Sequence, residues 1–438
     1  MSTVILSAFN VANFPEGGGH FWVYMQYALG LRSLGCEVFW LENIRSRKQG
    51  LPESQTLDGF LRRMNTYGFD DRVILYRASV DRPGPDGYDY IGMSKAEAES
   101  IFRRADLLLN FHYAIDPALL SRFSRTAFVD IDPGLLQFWV SQGQLTLPQH
   151  HLSFTIGETV GTHRSLFPDC GLDWIHIRPP VSLRHWPFAL CSDSGAFTTV
   201  SSWWGADGKG EFITDGEGLL YENNKRYFFL EFVELPRRTD QVIDLALYLG
   251  DGDGEPTPAT GAEKNGRMVG VPRAQATELD MFQYTGDAQD RAIMESYGWK
   301  VRHSREVAGS PEQYRSHIQQ SRGEFSCAKP SCMKFQNAWI SDRSICYLAS
   351  GRPVVLQDTG PSSYLPNGEG MFRFSSTEEA VDALARVNAG YEKHRRAARE
   401  IAEAYFDSDR VLAGMLDTAF RGKLSQKAVP GHDTRVSK

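Results

Sequence analysis

Cysteine is scarce in this 438-residue chain and badly placed for chemistry: the six present (Cys36, Cys170, Cys191, Cys327, Cys332 and Cys346) form no C-x-x-C pair. That spacing argues against a zinc or dithiol redox centre and fits reduced thiols. Long apolar runs are missing as well. No stretch approaches the roughly 18 residues of a membrane span, and the opening Thr3 to Phe9 segment lacks the basic region and small-residue cleavage site of a secretory signal. The expectation is a cytoplasmic protein without a membrane span. An excess of positive charge is also lacking. The formal net charge of -7 argues against a generally basic nucleic-acid surface, while leaving room for a local basic groove. The run Gly17-Gly18-Gly19 lacks the G-x-G-x-x-G spacing, because position 22 is Trp22, so a dinucleotide cofactor is discounted.

What is present is the composition of a globular protein, 42% apolar and 23% charged, in a chain too long for one ordinary core. Two units of roughly 200 residues are expected. The first fifty residues read as a βαβ unit. Val4-Ile5-Leu6 is a buried strand, Pro15 to Gly19 a loop, and Phe21, Tyr24, Met25, Ala28 and Leu31 recur at helical spacing; Gly35 then precedes the strand Glu37 to Leu41. A parallel sheet follows from that unit. Three later strand-like runs end in polar residues: Leu107-Leu108-Leu109 before Asn110 and His112, Ala127-Phe128-Val129 before Asp130 and Asp132, and Phe154-Thr155-Ile156 before Glu158. The carboxyl ends of parallel strands are where open α/β sheets bind ligands, although capping and turn formation demand the same residue types.

Arg178-Pro179-Pro180-Val181 and the residues to Gly195 read as a linker, after which a second βα series begins with the strand Ala196 to Val200. Residues 250–277, rich in Gly, Pro and charge, read as a surface excursion. Order returns with a helix over Asp290 to Tyr297, a strand at Trp299 to Val301 and a helix started by Ser310-Pro311-Glu312. The strand Glu324 to Ser326, a helix from Ser341, the strand Pro353 to Leu356 and helices over Thr377 to Val387, Tyr391 to Phe406 and Val411 to Phe420 complete the series.

Two segments carry a resemblance. One is the opening strand, Gly17-Gly18-Gly19-His20, the helix, and Leu34-Gly35-Cys36-Glu37-Val38. The other is Ser341-Asp342-Arg343-Ser344 followed by Tyr347-Leu348-Ala349-Ser350-Gly351-Arg352-Pro353-Val354-Val355 and Gln357-Asp358-Thr359-Gly360. In this order and separation they resemble the GT-B glycosyltransferases, at motif level over about sixty residues. The resemblance implies an α/β fold of two Rossmann-like domains facing across a cleft: an acceptor domain at 1–182, a nucleotide-sugar donor domain at 195–405 and a C-terminal helix at 406–421 crossing back to the first domain. The polar residues 422–438 read as a mobile tail. The sequence departs from the family at two points. The acidic pair of many retaining members would fall on Ala338 and Cys346, and the H-C-G-x-x-S donor motif is replaced at best by Ala328-Lys329-Pro330-Ser331. Neither the donor nucleotide nor the stereochemical outcome is therefore implied.

Glycosyl transfer needs stabilisation of the departing diphosphate, a base for the acceptor hydroxyl and support for an oxocarbenium-like centre. Helix N-termini and basic side chains can take the place of a metal at the diphosphate. The candidates for donor binding are Ser201, Ser202, Lys329, Lys334, Asp342 and Arg343, with Asp358, Thr359 and Gly360 beside the donor sugar by resemblance to the family. Asp342 also reads as a dipole-complementing charge, and the lysines as solvated surface. By the same resemblance His20 is the candidate base, its ordinary pKa of about 6.5 suiting proton acceptance; the alternative is a first helical residue that makes only a hydrogen bond. Asp130 and Asp132 follow as base or orienting carboxylate. Gly18, Gly19, His112 and Glu158 are candidate acceptor-cleft residues. The strings Asp130-Ile131-Asp132 and Asp251-Gly252-Asp253 also match a divalent-metal pattern, which the duplicated βα organisation argues against. Adjacent His150 and His151 face opposite ways and make a poor metal site. Trp203-Trp204 reads either as a stacking platform or as a pair split between core and surface.

The expected activity is metal-independent transfer of a sugar from a nucleoside-diphosphate sugar to a hydroxyl acceptor, with no cofactor beyond that co-substrate. A small-molecule acceptor is favoured and a modified nucleic-acid base is an alternative. A nucleotide-sugar epimerase on the same fold and a non-catalytic nucleotide-sugar binder are the rival readings.

Overall fold

The computed structural model describes residues 1–44, 53–79, 87–190, 194–204, 211–214, 219–249, 271–272 and 287–421. Cys191, the Asp251-Gly252-Asp253 string and the tail at 422–438 lie outside the described residues. So does the 250–277 excursion, apart from Val271 and Pro272, which form a strand.

Eight strands form the first sheet: β1 (Thr3–Ser7), β2 (Glu37–Asn43), β3 (Val73–Ala78), β4 (Tyr88–Ile91), β5 (Leu107–Asn110), β6 (Thr126–Asp130), β7 (Leu152–Thr155) and β8 (Trp174–His176). Their spatial order is β4-β3-β2-β1-β5-β6-β7-β8, and only the β3–β4 pair is antiparallel. The strand order reverses between β1 and β5, which pair in register from Val4–Leu107 to Ser7–Asn110. β1 and β5 are buried along their whole length, as strands covered on both faces must be.

The second half contributes β9 (Ala196–Ser202), β10 (Phe212–Thr214), β11 (Leu219–Glu222), β12 (Val242–Tyr248), β13 (Val271–Pro272), β14 (Lys300–His303), β15 (Gly323–Ser326), β16 (Val354–Gln357) and β17 (Met371–Phe374). Six of them make a wholly parallel sheet in the order β14-β12-β9-β15-β16-β17, the strand order of a dinucleotide-type doubly wound fold. Its reversal lies between β9 and β15. The remaining three, β10-β11-β13, form a small antiparallel sheet that short, weakly apolar segments did not announce in the sequence.

The Gly18–Ser33 helix buries residues on every side, including Phe21, Trp22, Tyr24, Met25, Ala28 and Leu31. Such a helix must be enclosed. The first sheet lies on one side, the Pro311–Gln320 helix of the second half on another and the Ser408–Arg421 helix on a third. Trp22 Nε1 donates to the Pro311 carbonyl at 2.9 Å. A Cβ on Gly18 would stand 2.2 Å from the Ser310 carbonyl oxygen, and one on Gly19 2.8 Å from the Tyr314 ring. These glycines therefore permit a close approach of the two halves.

The chain returns to the first half at its end. The Val181 amide donates to the Phe406 carbonyl and the Val181 carbonyl accepts from the Ser408 amide, and the Ser408–Arg421 helix then packs on Gly18–Ser33, where Gly30 leaves room for Leu412. The expected helix over Tyr391 to Phe406 is α-helical only to Ile401 and finishes in a π-helical turn, Ala402–Phe406.

Candidate functional site

The two sheets present the carboxyl ends of their strands to each other, and Asp132 stands between them. Its charge acts on His20, Tyr24 and Tyr113 of the first half and on Lys329, Cys332 and Asp342 of the second. Asp132 is exposed and accepts one hydrogen bond from Tyr113 Oη at 2.8 Å. Its neighbour in the string, Asp130, points away into the first half. There it is wholly buried and accepts from Gln137 Nε2, Thr155 Oγ1 and the Asp132 amide at 2.8 to 3.0 Å. Burial pushes its carboxyl up to about 7 against those bonds. The two carboxylates diverge, and among the described residues no three His, Cys, Asp or Glu side chains converge as a metal site would require.

His20 Nε2 bonds to the Phe9 carbonyl at 2.7 Å, so this nitrogen carries the proton and Nδ1 is left as the acceptor. Burial lowers the ring's pKa below its usual value, partly offset by the Phe9 carbonyl and Asp132. His112 stacks on Phe9, with ring centroids 4.8 Å apart, at the reversal of the first sheet. His150 and His151 are engaged separately: His150 with Pro148 and Asn110, His151 with Thr126.

The second half gathers cations at its own reversal. Lys329 follows β15 and pairs with Glu211 at 3.0 Å. Burial opposes its charge, but Glu211 and Asp132 outweigh burial and hold the pKa above normal. Arg343, 5% exposed, is directed into the sheet. Nε donates to Glu324, Nη1 to the Val200 carbonyl and Nη2 to Ser326 Oγ, at 2.6 to 2.7 Å, so its donors tie β9 to β15.

The residue sequence reasoning missed is Lys225. It precedes the Arg226–Glu231 helix and is 9% exposed. Among the described residues its ammonium has no hydrogen-bond or ion-pair partner, only the face of Trp339 at 5.6 Å. Burial, with Arg343 and Lys329 close by, pushes it down to about 7. Asp342, its own carboxyl raised by burial, is the carboxylate whose charge favours the ammonium. The only local signal was Asn223-Asn224-Lys225-Arg226 ahead of an aromatic helix. Asn223 accepts from the Ser331 amide at 2.7 Å and so joins this loop to the one carrying Lys329.

Beside Arg343 lies a small cavity of about 20 Å³ lined by Ser326, Ala328, Trp339, Ser344, Gln357 and Thr359, among others. Ser344 Oγ, in the first turn of the Asp342–Ala349 helix, is buried without a hydrogen-bond partner. Such a group calls for a polar partner from outside the chain, an ordered water or a ligand atom. Thr359 Oγ1 donates to the Trp339 carbonyl, and Gly360 accommodates a φ of +118°. Asp358 accepts from Arg373 on the neighbouring strand β17 and from the Gly360 amide of its own turn, so its charge is met from within the second half. Ser201 Oγ turns back to the Ser202 carbonyl, while Ser202 is exposed. Lys334, on the Pro330–Phe335 helix, is half-buried.

Glu158 joins the halves: it accepts from Ser362 Oγ at 2.5 Å, the Ser363 amide at 2.6 Å and Arg164. Trp203 is buried and donates to Asp290, whereas Trp204 lies under the Arg226 guanidinium, so the tryptophan pair is split.

No family model and no curated protein matches the chain, but solved structures do. An α-glucosyltransferase in complex with UDP and a DNA carrying an HMU base superposes with a TM-score of 0.53 at 11% identity, over 96% of this chain and 100% of that one. The fold is GT-B. Two further structures of this fold are similar over 95% of the chain. Anabaena HepE with UDP and glucose has a TM-score of 0.52 at 10% identity and is covered completely. The pneumococcal O-GlcNAc transferase GtfA with UDP and GlcNAc has a TM-score of 0.51 at 9% identity, with 98% of it covered. Among the described residues no helix is long and apolar enough to cross a membrane.

Proposed function

We propose that the protein is a glycosyltransferase that grips the diphosphate of a nucleoside-diphosphate sugar with Lys225 and Lys329 and passes the sugar to a hydroxyl acceptor. One observation carries this reading. Lys225 is buried beside two other cations and, among the described residues, unpaired, at the strand reversal of a dinucleotide-type sheet. A buried ammonium without an anion is costly, and a diphosphate supplies the charge it lacks. The orphaned Ser344 hydroxyl and the start of the Asp342–Ala349 helix supply neutral donors to the same ligand. The GT-B structures solved with UDP support a uridine diphosphate donor.

In this reading the two lysines stabilise the departing diphosphate without a metal ion. Asp132, exposed between the halves, faces the positive charge that develops on the sugar. His20 accepts the acceptor's proton at Nδ1, because Nε2 is committed to Phe9.

Isothermal calorimetry with UDP and a panel of nucleoside-diphosphate sugars tests it. Wild-type protein is expected to bind UDP, and Lys225→Ala to bind it about 100-fold more weakly, the loss of one charged contact of about 2.7 kcal/mol. Donor consumption that requires an added alcohol then separates transfer from epimerisation. Equal UDP affinity in wild type and Lys225→Ala overturns the assignment.

A further inference from the structure

A second, larger cavity, of about 570 Å³, lies away from the cations, where the first sheet meets the returning chain. Its walls come from three parts of the molecule: the ends of β7 and β8, the Ser363-Tyr364 turn and the segment from Ala404 to Thr418. Ile156, Ile175, Val411 and Met415 give it an apolar lining. Within that lining the Arg178 guanidinium lies over a pair of touching tyrosine rings, 4.4 Å from the Tyr364 centroid and 5.1 Å from that of Tyr405. Among the described residues Arg178 has no hydrogen-bond or ion-pair partner. The one carboxylate on the wall, Glu158, is already met by Ser362, Ser363 and Arg164. Arg410 and His176 are turned to backbone carbonyls, of Glu403 and Val160.

A guanidinium fixed by stacking keeps its N–H fork free for a bidentate anion. An independent observation is Gly414, in the middle of the Ser408–Arg421 helix. Glycine weakens a helix interior, and a Cβ here would meet nothing within 4 Å. A larger side chain at this position would enter the cavity.

We propose that this cavity binds an amphipathic anion, a hydrocarbon chain bearing a phosphate or carboxylate head, with the head on Arg178 and the chain along Ile156, Ile175, Val411 and Met415. The volume lies within the range of small-molecule pockets. Because the wall joins both halves, an occupant bridges them at the point where Glu158 already holds them together. The inference does not rest on the glycosyl-transfer reading.

Calorimetry below micellar concentrations, with n-octyl phosphate, octanoate, inorganic phosphate and n-octyl β-glucoside, tests it. At least one of the two amphipathic anions is expected to bind saturably, with inorganic phosphate and the neutral glucoside at least about tenfold weaker. The phosphate and carboxylate arms identify the head group. Arg178→Gln and Gly414→Phe should each weaken binding at least about tenfold, while Lys225→Ala leaves it unchanged. Circular dichroism melting checks the fold, and if Arg178→Gln does not fold, Gly414→Phe decides. The proposal fails if neither anion binds, if Gly414→Phe binds like wild type, if the glucoside binds as tightly, or if Lys225→Ala loses binding as Arg178→Gln does.

Discussion

The two sheets reverse their strand order in the same way, yet their carboxyl ends are finished differently. At the first, the candidate polar groups are met from within: Asp130 by Gln137 and Thr155, Asn110 by His112 and His150, His20 by Phe9. At the second, Arg343 is met by Glu324, but Lys225 and Ser344 are left wanting. A fold tolerates such deficits where a ligand completes them. The difference teaches that a cation's role is read from its partners and not from its charge: Arg343 holds strands, and Lys225 is the cation left open for the proposed diphosphate.

The sharpest way to break that comparison is to remove each cation from the ligand-free protein. Arg343→Met strands the buried Glu324 carboxylate and is expected to cost about 3–5 kcal/mol in denaturant unfolding. Lys225→Met strands nothing and should leave stability unchanged or higher. Equal losses would show that both are structural.

A smaller effect sharpens it with pH. Lys225 titrates at about 7 in the fold and near 10.4 in an unfolded chain. Between those values the unfolded state holds the extra proton, so wild type should gain stability over Lys225→Met as pH rises from 7 to 10, by at most about 1.4 kcal/mol per unit. Below pH 7 the difference should stay flat. A difference curve that is flat across the whole range would refute the lowered pKa.

The smallest effect belongs to the second cavity. Gly414→Ala fills no occupied space and should stabilise the protein by about 0.5–1 kcal/mol, measured by thermal melting.

Much of the fold was legible because buried parallel strands are continuous apolar runs, and β1, β2 and β16 announce themselves so. β4, β8 and the small antiparallel sheet did not, being short and only partly apolar. The site was legible to the level of strand ends. The direction of a side chain was not: nothing local says that Arg343 turns inward, or that Asp130 and Asp132 part company. The glycines at 18 and 19 read as acceptor-cleft residues, and the close approach they allow in the fold is to the Ser310 carbonyl and Tyr314. Lys225 was illegible because its meaning depends on Lys329 and Arg343, more than a hundred residues further on.

Glu211 gives Lys329 a resident counter-ion on a tether, and a tethered carboxylate competes at an effective concentration in the millimolar range. Chloride, acetate or a lone phosphate must contend with that incumbent one contact at a time. An anion long enough to touch Lys225 and Lys329 together has the advantage of two attachments, so the ion pair works as a filter on ligand valence.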